Sequence, residues 1–249
     1  MVHRFFVSGE NIRADRVVFD SGEARHIERV LRLGPGDTVT VFDGSGYEYL
    51  VRLNTNSNNR LTGEVVQKEK KDREASANLY LVQGLGKGDK METIIQKAVE
   101  IGVKMVYPLA GERSVVRLEG DKAAKRVERW QEIAIEACKQ CRRNLVPEIK
   151  PISDITGICQ EIDGKHSIML YENEQELRLS AYLSERRQEL AGQEIFLLVG
   201  PEGGFSTAEV EMVCQYGGLA VSLGPRILRT ETAGIVAASI ILYELGDLG

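Results

Sequence analysis

Two stretches of the chain set charged and hydroxyl side chains on glycine-proline turns. The first, Phe196-Leu-Leu-Val-Gly-Pro-Glu-Gly-Gly-Phe-Ser-Thr-Ala-Glu209, leaves an apolar run and enters a helical pattern through Gly200-Pro201-Glu202-Gly203-Gly204. Glycine admits positive φ and lets a ligand approach the main chain closely. Ser206 and Glu209 form an S-x-x-E capping box that fixes where the helix begins. The second stretch, Gly224-Pro225-Arg226-Ile227-Leu228-Arg229-Thr230-Glu231-Thr232, follows the apolar run Leu219 to Leu223 and precedes the apolar helix Ala233 to Leu242. Neither has the G-x-G-x-x-G spacing of a dinucleotide site or the G-K-[ST] of a Walker loop. Two such loops at strand ends can converge on one ligand, and a tight turn with an ion pair between Arg229 and Glu231 is the plainer alternative.

The elements that must carry these loops are legible as a change of period. Residues 1–75 are β-rich, with strands expected at Arg4 to Val7, Arg16 to Phe19, Asp37 to Asp43, Glu48 to Asn54 and Arg60 to Lys68. Asp43 to Gly46 and Asn54 to Asn59 supply turns, and one helix is expected from Glu23 to Leu31. Five short strands in so little chain suggest a closed or nearly closed barrel. The polar run Gln67 to Ala77 then separates this unit from residues 76–249, where strands and helices alternate. Strands are expected at Asn78 to Leu85, Met105 to Leu109, Ser167 to Tyr171, Glu194 to Val199 and Leu219 to Leu223. The helices lie at Asp89 to Ile101, Asp121 to Cys141, Leu179 to Leu190, Ser206 to Tyr216 and Glu231 to Leu245. Apolar strands alternating with helices indicate an α/β domain with a mainly parallel sheet.

Composition narrows the class of protein. The chain has 249 residues, 43% of them hydrophobic, with a formal net charge of −5. The charge is uneven: residues 1–86 are neutral, residues 87–143 carry +4 and residues 144–249 carry −9. A nucleic-acid partner would therefore meet a local basic patch and not a uniformly basic protein. Four cysteines and no N-terminal apolar signal region lead us to expect a cytoplasmic protein, and the longest apolar stretch, Ile235 to Leu242, is too short for a membrane span. Three scattered histidines and a lone Cys138-x-x-Cys141 offer no metal-ligand pattern, so no metal is expected.

The two loops, read as LLVGPEGGFSTAEVE and SLGPRILRTETA, occur with an opening HRFFV, the segment GKGDKMETIIQKAVEIGV, an ERSVVR and the helix RWQEIAIEACKQCRR. This combination, spread over essentially the whole chain, resembles the RsmE family of 16S ribosomal RNA uridine-N3 methyltransferases. The resemblance implies a small PUA-like β-barrel RNA-binding domain at 1–75 and a C-terminal SPOUT α/β trefoil-knot domain at 76–249. It also implies S-adenosylmethionine as cofactor, a homodimer, and 16S rRNA or the small ribosomal subunit as partner.

Site residues follow from the resemblance on the matched positions. Leu198, Gly200, Pro201, Glu202, Gly203, Leu223, Gly224, Ile227, Leu228 and Arg229 would bind the cofactor. The N3 position of uracil carries an imide proton, so the site must stabilise the anion or take the proton. Arg229 is the candidate for stabilising the anion, and Glu202 or Glu231 for accepting the proton, unless these carboxylates orient Arg229 or cap the helix. Arg4, Arg25, Arg113, Gln140 and Arg142 are the candidates for RNA contact. Two other readings stand beside this one: a noncatalytic RNA-binding or assembly dimer, which would not need the glycine loops, and a ribose 2′-O-methyltransferase.

Overall fold

The computed structural model describes residues 3–55 and 60–248, so most of the expected turn at Asn54 to Asn59 lies outside the described residues. Packing divides the chain into two units, Met1–Glu74 with Cys138–Val146, and Ala75–Ala137 with Pro147–Gly249.

The first unit is a six-stranded sheet formed by β1 (Arg4–Phe6), β2 (Ile12–Arg13), β3 (Arg16–Val18), β4 (Thr38–Phe42), β5 (Tyr47–Thr55) and β6 (Leu61–Lys70). The strand order is β1-β4-β5-β6-β3-β2, with β1 parallel to β4 and the other pairs antiparallel. Alternate residues such as Val39, Val41, Val51 and Leu53 turn inward onto Phe5, Val17 and Ile27. The expected single helix is a short α1 (Ser21–Arg25), capped by Asp20, that widens into a π turn over His26–Val30. A two-residue strand such as β2 has no period to read, and it was not foreseen.

The segment Cys138–Val146 packs with this unit because Arg4 reaches it. The Arg4 guanidinium lies 3.9 Å from the Phe42 ring centroid and donates to the carbonyls of Cys138 (2.6 Å) and Arg143 (2.8 Å) and to the Asn144 side chain. Glu48 pairs with it at 3.3 Å, and Arg143 pairs with Glu74 at 2.6 Å. Such long-range pairs leave no local signature, so a boundary drawn once along the chain misplaces these nine residues.

The second unit is a parallel sheet of β7 (Asn78–Gly84), β8 (Met105–Leu109), β9 (Glu148–Ile149), β10 (His166–Leu170), β11 (Glu194–Val199) and β12 (Leu219–Val221). Its helices are α2 (Lys90–Ile101), α3 (Gly120–Cys141, whose residues from Cys138 on belong to the first unit), α4 (Ile155–Ile162), α5 (Leu179–Leu190), α6 (Thr207–Gln215) and α7 (Thr230–Glu244). Helix α2 forms because Met91, Ile94, Ile95, Ala98 and Val99 fall on one face, and it stops at Gly102, which takes φ of 109° and returns its N–H to the last turn. Helix α4, capped by Asp154, and β9 were not expected. Helix α7 packs on β7, β11, α2 and α5, burying Gly234, Ala237, Ala238, Ile241 and Leu242.

The strand order is β12-β10-β11-β7-β8-β9. Strands β12, β10 and β11 are therefore neighbours with parallel direction, and their carboxyl ends open side by side. In open α/β sheets that is where ligands bind.

Candidate active site

The loops after β10, β11 and β12 enclose a cavity of about 700 Å³. That volume suits an organic ligand of several rings or chains. Gly200, Pro201 and Glu202 of the first glycine loop line it, as do Leu223, Gly224, Ile227, Leu228 and Arg229 of the second. Two expected residues sit elsewhere. Leu198 is fully buried in the core beneath the sheet end, among Val82, Phe196 and Phe205. Gly203 faces Arg113, whose Cβ lies 3.0 Å from the place a Gly203 Cβ would occupy and whose guanidinium donates to the Gly203 carbonyl at 3.2 Å. Arg113 thus backs the glycine loop.

Sequence reasoning missed a third wall. The segment after β10 brings Glu172, Glu174 and Arg178 to the cavity. It has no glycine and reads as a polar linker, so its single signal was its place after a buried strand. Backbone bonds between Ser222 and Leu177 (2.8 Å) and between Leu179 and Ser222 (3.0 Å) pin it beside β12, and Glu174 caps its own turn through the amides of Glu176 and Leu177.

Local chemistry fixes the loops. The capping box is formed: Ser206 Oγ accepts from the Glu209 amide, and Glu209 accepts from the Ser206 amide at 2.8 Å. The buried Glu209 also accepts from the Glu112 amide at 2.9 Å, tying the loop after β8 to the same helix start. Thr230 joins the two glycine loops to β7, donating to the Gly200 carbonyl (2.6 Å) and accepting from Gln83 Nε2 (2.9 Å). Gly84 at the end of β7 is packed against Pro201 so closely that a Cβ would overlap the Pro201 nitrogen.

Charge at the cavity is paired across elements. Lys90 Nζ lies 3.2 Å from carboxylate oxygens of both Glu202 and Glu231. Burial pushes the Glu202 carboxyl up, but the Lys87 amide at 2.9 Å, its own amide and the Lys90 ammonium outweigh that and hold it below the usual carboxylate range. Glu231 is held low by its own backbone amide, against some burial, and further by Lys90 and Arg229. Arg229 is the exposed N-cap of α7, and no hydrogen bond or ion pair to its guanidinium is formed among the described residues.

The expected RNA contacts separate into two kinds. Arg25, Gln140 and Arg142 are exposed, whereas the Arg4 guanidinium is buried and committed to Glu48 and three main-chain or side-chain acceptors. Arg4 is thereby corrected to an internal tie, since a phosphate would have to displace all of these partners. Cys138 is buried and Cys141 half-buried, both as free thiols. Among the described residues no group of three His, Cys, Asp or Glu side chains forms a metal-binding cluster, and no helix is long and apolar enough to cross a membrane.

Comparison with known proteins places this geometry in context. A family model described as an RNA methyltransferase domain matches residues 73–242, and one described as an RNA methyltransferase PUA domain matches residues 19–66. The chain is 36% identical to ribosomal RNA small subunit methyltransferase E of Bacillus subtilis over 224 residues, covering 89% of this chain and 88% of the relative. Among solved structures it is similar to the Neisseria gonorrhoeae ribosomal RNA small subunit methyltransferase E bound to S-adenosyl methionine, at 34% identity and a TM-score of 0.87, covering the whole of both chains. A putative methyltransferase from Legionella pneumophila, in complex with bound SAM, matches at 28% identity and a TM-score of 0.82 over 98% of each chain.

Proposed function

Because the chain belongs to the ribosomal RNA small subunit methyltransferase E family, we propose that it transfers the methyl group of S-adenosylmethionine to N3 of a uridine in the decoding region of 16S ribosomal RNA. The observation that carries this reading is the convergence of both glycine loops on one cavity, with an uncommitted Arg229 at its rim.

The cavity fits the cofactor chemically. Val199, Phe205, Val221 and Leu228 give it apolar surface for a purine, backbone groups of residues 200–202 and 223–228 can read the purine edge, and Glu172 and Glu174 supply negative charge for cationic groups. When bound, S-adenosylmethionine supplies an activated methyl on a sulfonium. What the chain supplies is alignment and an environment for the uracil anion. Glu202 and Glu231, ionised below the usual range and shared by Lys90, are weak proton acceptors. The geometry therefore favours Arg229, beside the positive end of α7, as the group that stabilises the N3-deprotonated base while the proton leaves to solvent. A base reacting at N3 exposes its pairing edge, so the nucleotide enters unpaired or flipped.

RNA is held by exposed cations and polar groups, including Arg25, Gln140 and Arg142, and a ribosomal RNA substrate sets the protein to work in the cytoplasm. The outer face of α7 leaves Val236, Ile240 and Tyr243 exposed, 37%, 36% and 63% respectively, and that stripe is the surface through which two copies pair. Titration calorimetry with S-adenosylmethionine tests the core of the reading: one site per chain is expected, and folded protein that binds none contradicts it. It would leave the noncatalytic RNA-binding alternative.

A further inference from the structure

Lys90 spends its ammonium inside the cleft. It is the first residue of α2 and lines the cavity. From there it reaches Glu202, on the loop after β11, and Glu231, in the first turn of α7, each at 3.2 Å. Three separate elements meet on one cation. The packing below is equally specific, since a Cβ at Gly86 would touch the Lys90 stem at 3.2 Å and lie 3.6 Å from the Glu202 carboxylate.

The cavity carries further charges, Glu172 and Glu174 with Arg178 and Arg226, but Lys90 is the cation that bridges Glu202 and Glu231. Without Lys90, the Glu202 and Glu231 carboxylates would lose the cation they share, repel one another and leave the cavity with one positive charge fewer. A reaction that builds an anion in the same cavity is opposed by that loss of positive charge. We propose that Lys90 is a positioning residue of the methyl transfer, clamping Glu202 and Glu231 so that the two glycine loops hold Arg229 at the cavity with its positive charge free for the reacting base. This rests on the methyl-transfer reading above.

The test compares wild-type protein with Lys90→Met and Lys90→Arg, each as the full chain. Calorimetry gives the Kd for S-adenosylmethionine and for its demethylated product S-adenosylhomocysteine, and kcat and KM are measured with small subunits whose RNA lacks the modification. For Lys90→Met, kcat falls about 100-fold. Cofactor still binds, and preference for the cationic cofactor over the neutral product rises several-fold, because the lost charge was positive. Lys90→Arg keeps the charge, stays within about tenfold of wild type in kcat and leaves that preference unchanged. Should Lys90→Met not fold, the Lys90→Arg result still decides, since a loss beyond about 100-fold there overturns the clamp. An active wild type with an unchanged kcat in Lys90→Met overturns the inference alone. Loss of cofactor binding in both variants makes Lys90 a support of the fold and overturns it too, and a wild type that transfers no methyl group overturns the inference together with the reading it rests on.

Discussion

Arg229 and Arg4 look alike in the sequence, each an arginine inside a matched motif, and the structure gives them opposite employment. Arg229 ends its side chain at the cavity, at the N-terminal, positive end of α7, so it adds to a field that already favours negative charge. Arg229→Ala is expected to lower kcat by about 10² to 10³ while the cofactor Kd moves only a few-fold, and an unchanged rate in single-turnover assays would remove it from the mechanism. Arg4 is consumed by Glu48, Phe42 and the carbonyls of Cys138 and Arg143, none of which its position in the sequence reveals. Gly203 was expected to make room for a ligand; it makes room for Arg113 instead. Residue type and spacing identified the loops, but which atom faces the cavity depends on neighbours far along the chain.

At the scale of elements, the sheet end works as a frame because β7 is latched to both loops. Gly84 lies against Pro201, and Thr230 binds Gly200 and Gln83 at once. Gly84→Ala forces β7 and the first loop apart, an overpacking that costs about 1 to 3 kcal/mol. We expect it to weaken cofactor binding at least tenfold by calorimetry, and wild-type affinity would show that the close approach is not part of the site. Thr230→Val, which leaves the Gly200 carbonyl without its donor, costs about 1 to 3 kcal/mol of stability in urea titrations. The elements themselves were largely readable: the face of α2, the capping box of α6 and the all-round apolar α7 follow from local pattern. The third wall was not, because Glu172 to Arg178 is polar apart from Leu177 and gains its role from lying next to β12 in the sheet. Sheet order is a property of the whole path, as is the knot the resemblance implies, and no local period encodes either.

For the whole molecule, the net charge of −5 conceals an arrangement in which many cations are internally matched. Glu48 alone meets Arg4, Lys71 and Arg73. Burial raises the Glu48 pKa, but the Arg73 hydrogen bond and charge, with Lys71 and Arg4, hold it below its ordinary 4.5. A carboxyl whose folded pKa lies below its unfolded one contributes fully above the unfolded value and loses that contribution as pH falls through the folded one. Urea unfolding between about pH 3 and 7 should therefore show stability dropping below about 4.5, and Glu48→Gln should flatten part of that drop while costing about 3 to 5 kcal/mol near neutrality. An acid limb identical in the variant would place the pH sensitivity elsewhere.

The central claim joins this fold to one reaction on one base. It is tested by incubating the protein and S-adenosylmethionine with unmodified small subunits and with naked 16S RNA, then digesting the RNA and locating the added methyl by mass spectrometry. A single methyl on the base portion of one decoding-region uridine, blocking its N3 edge, is the predicted result; a methyl on the ribose fragment, or none from protein that binds the cofactor, would contradict it.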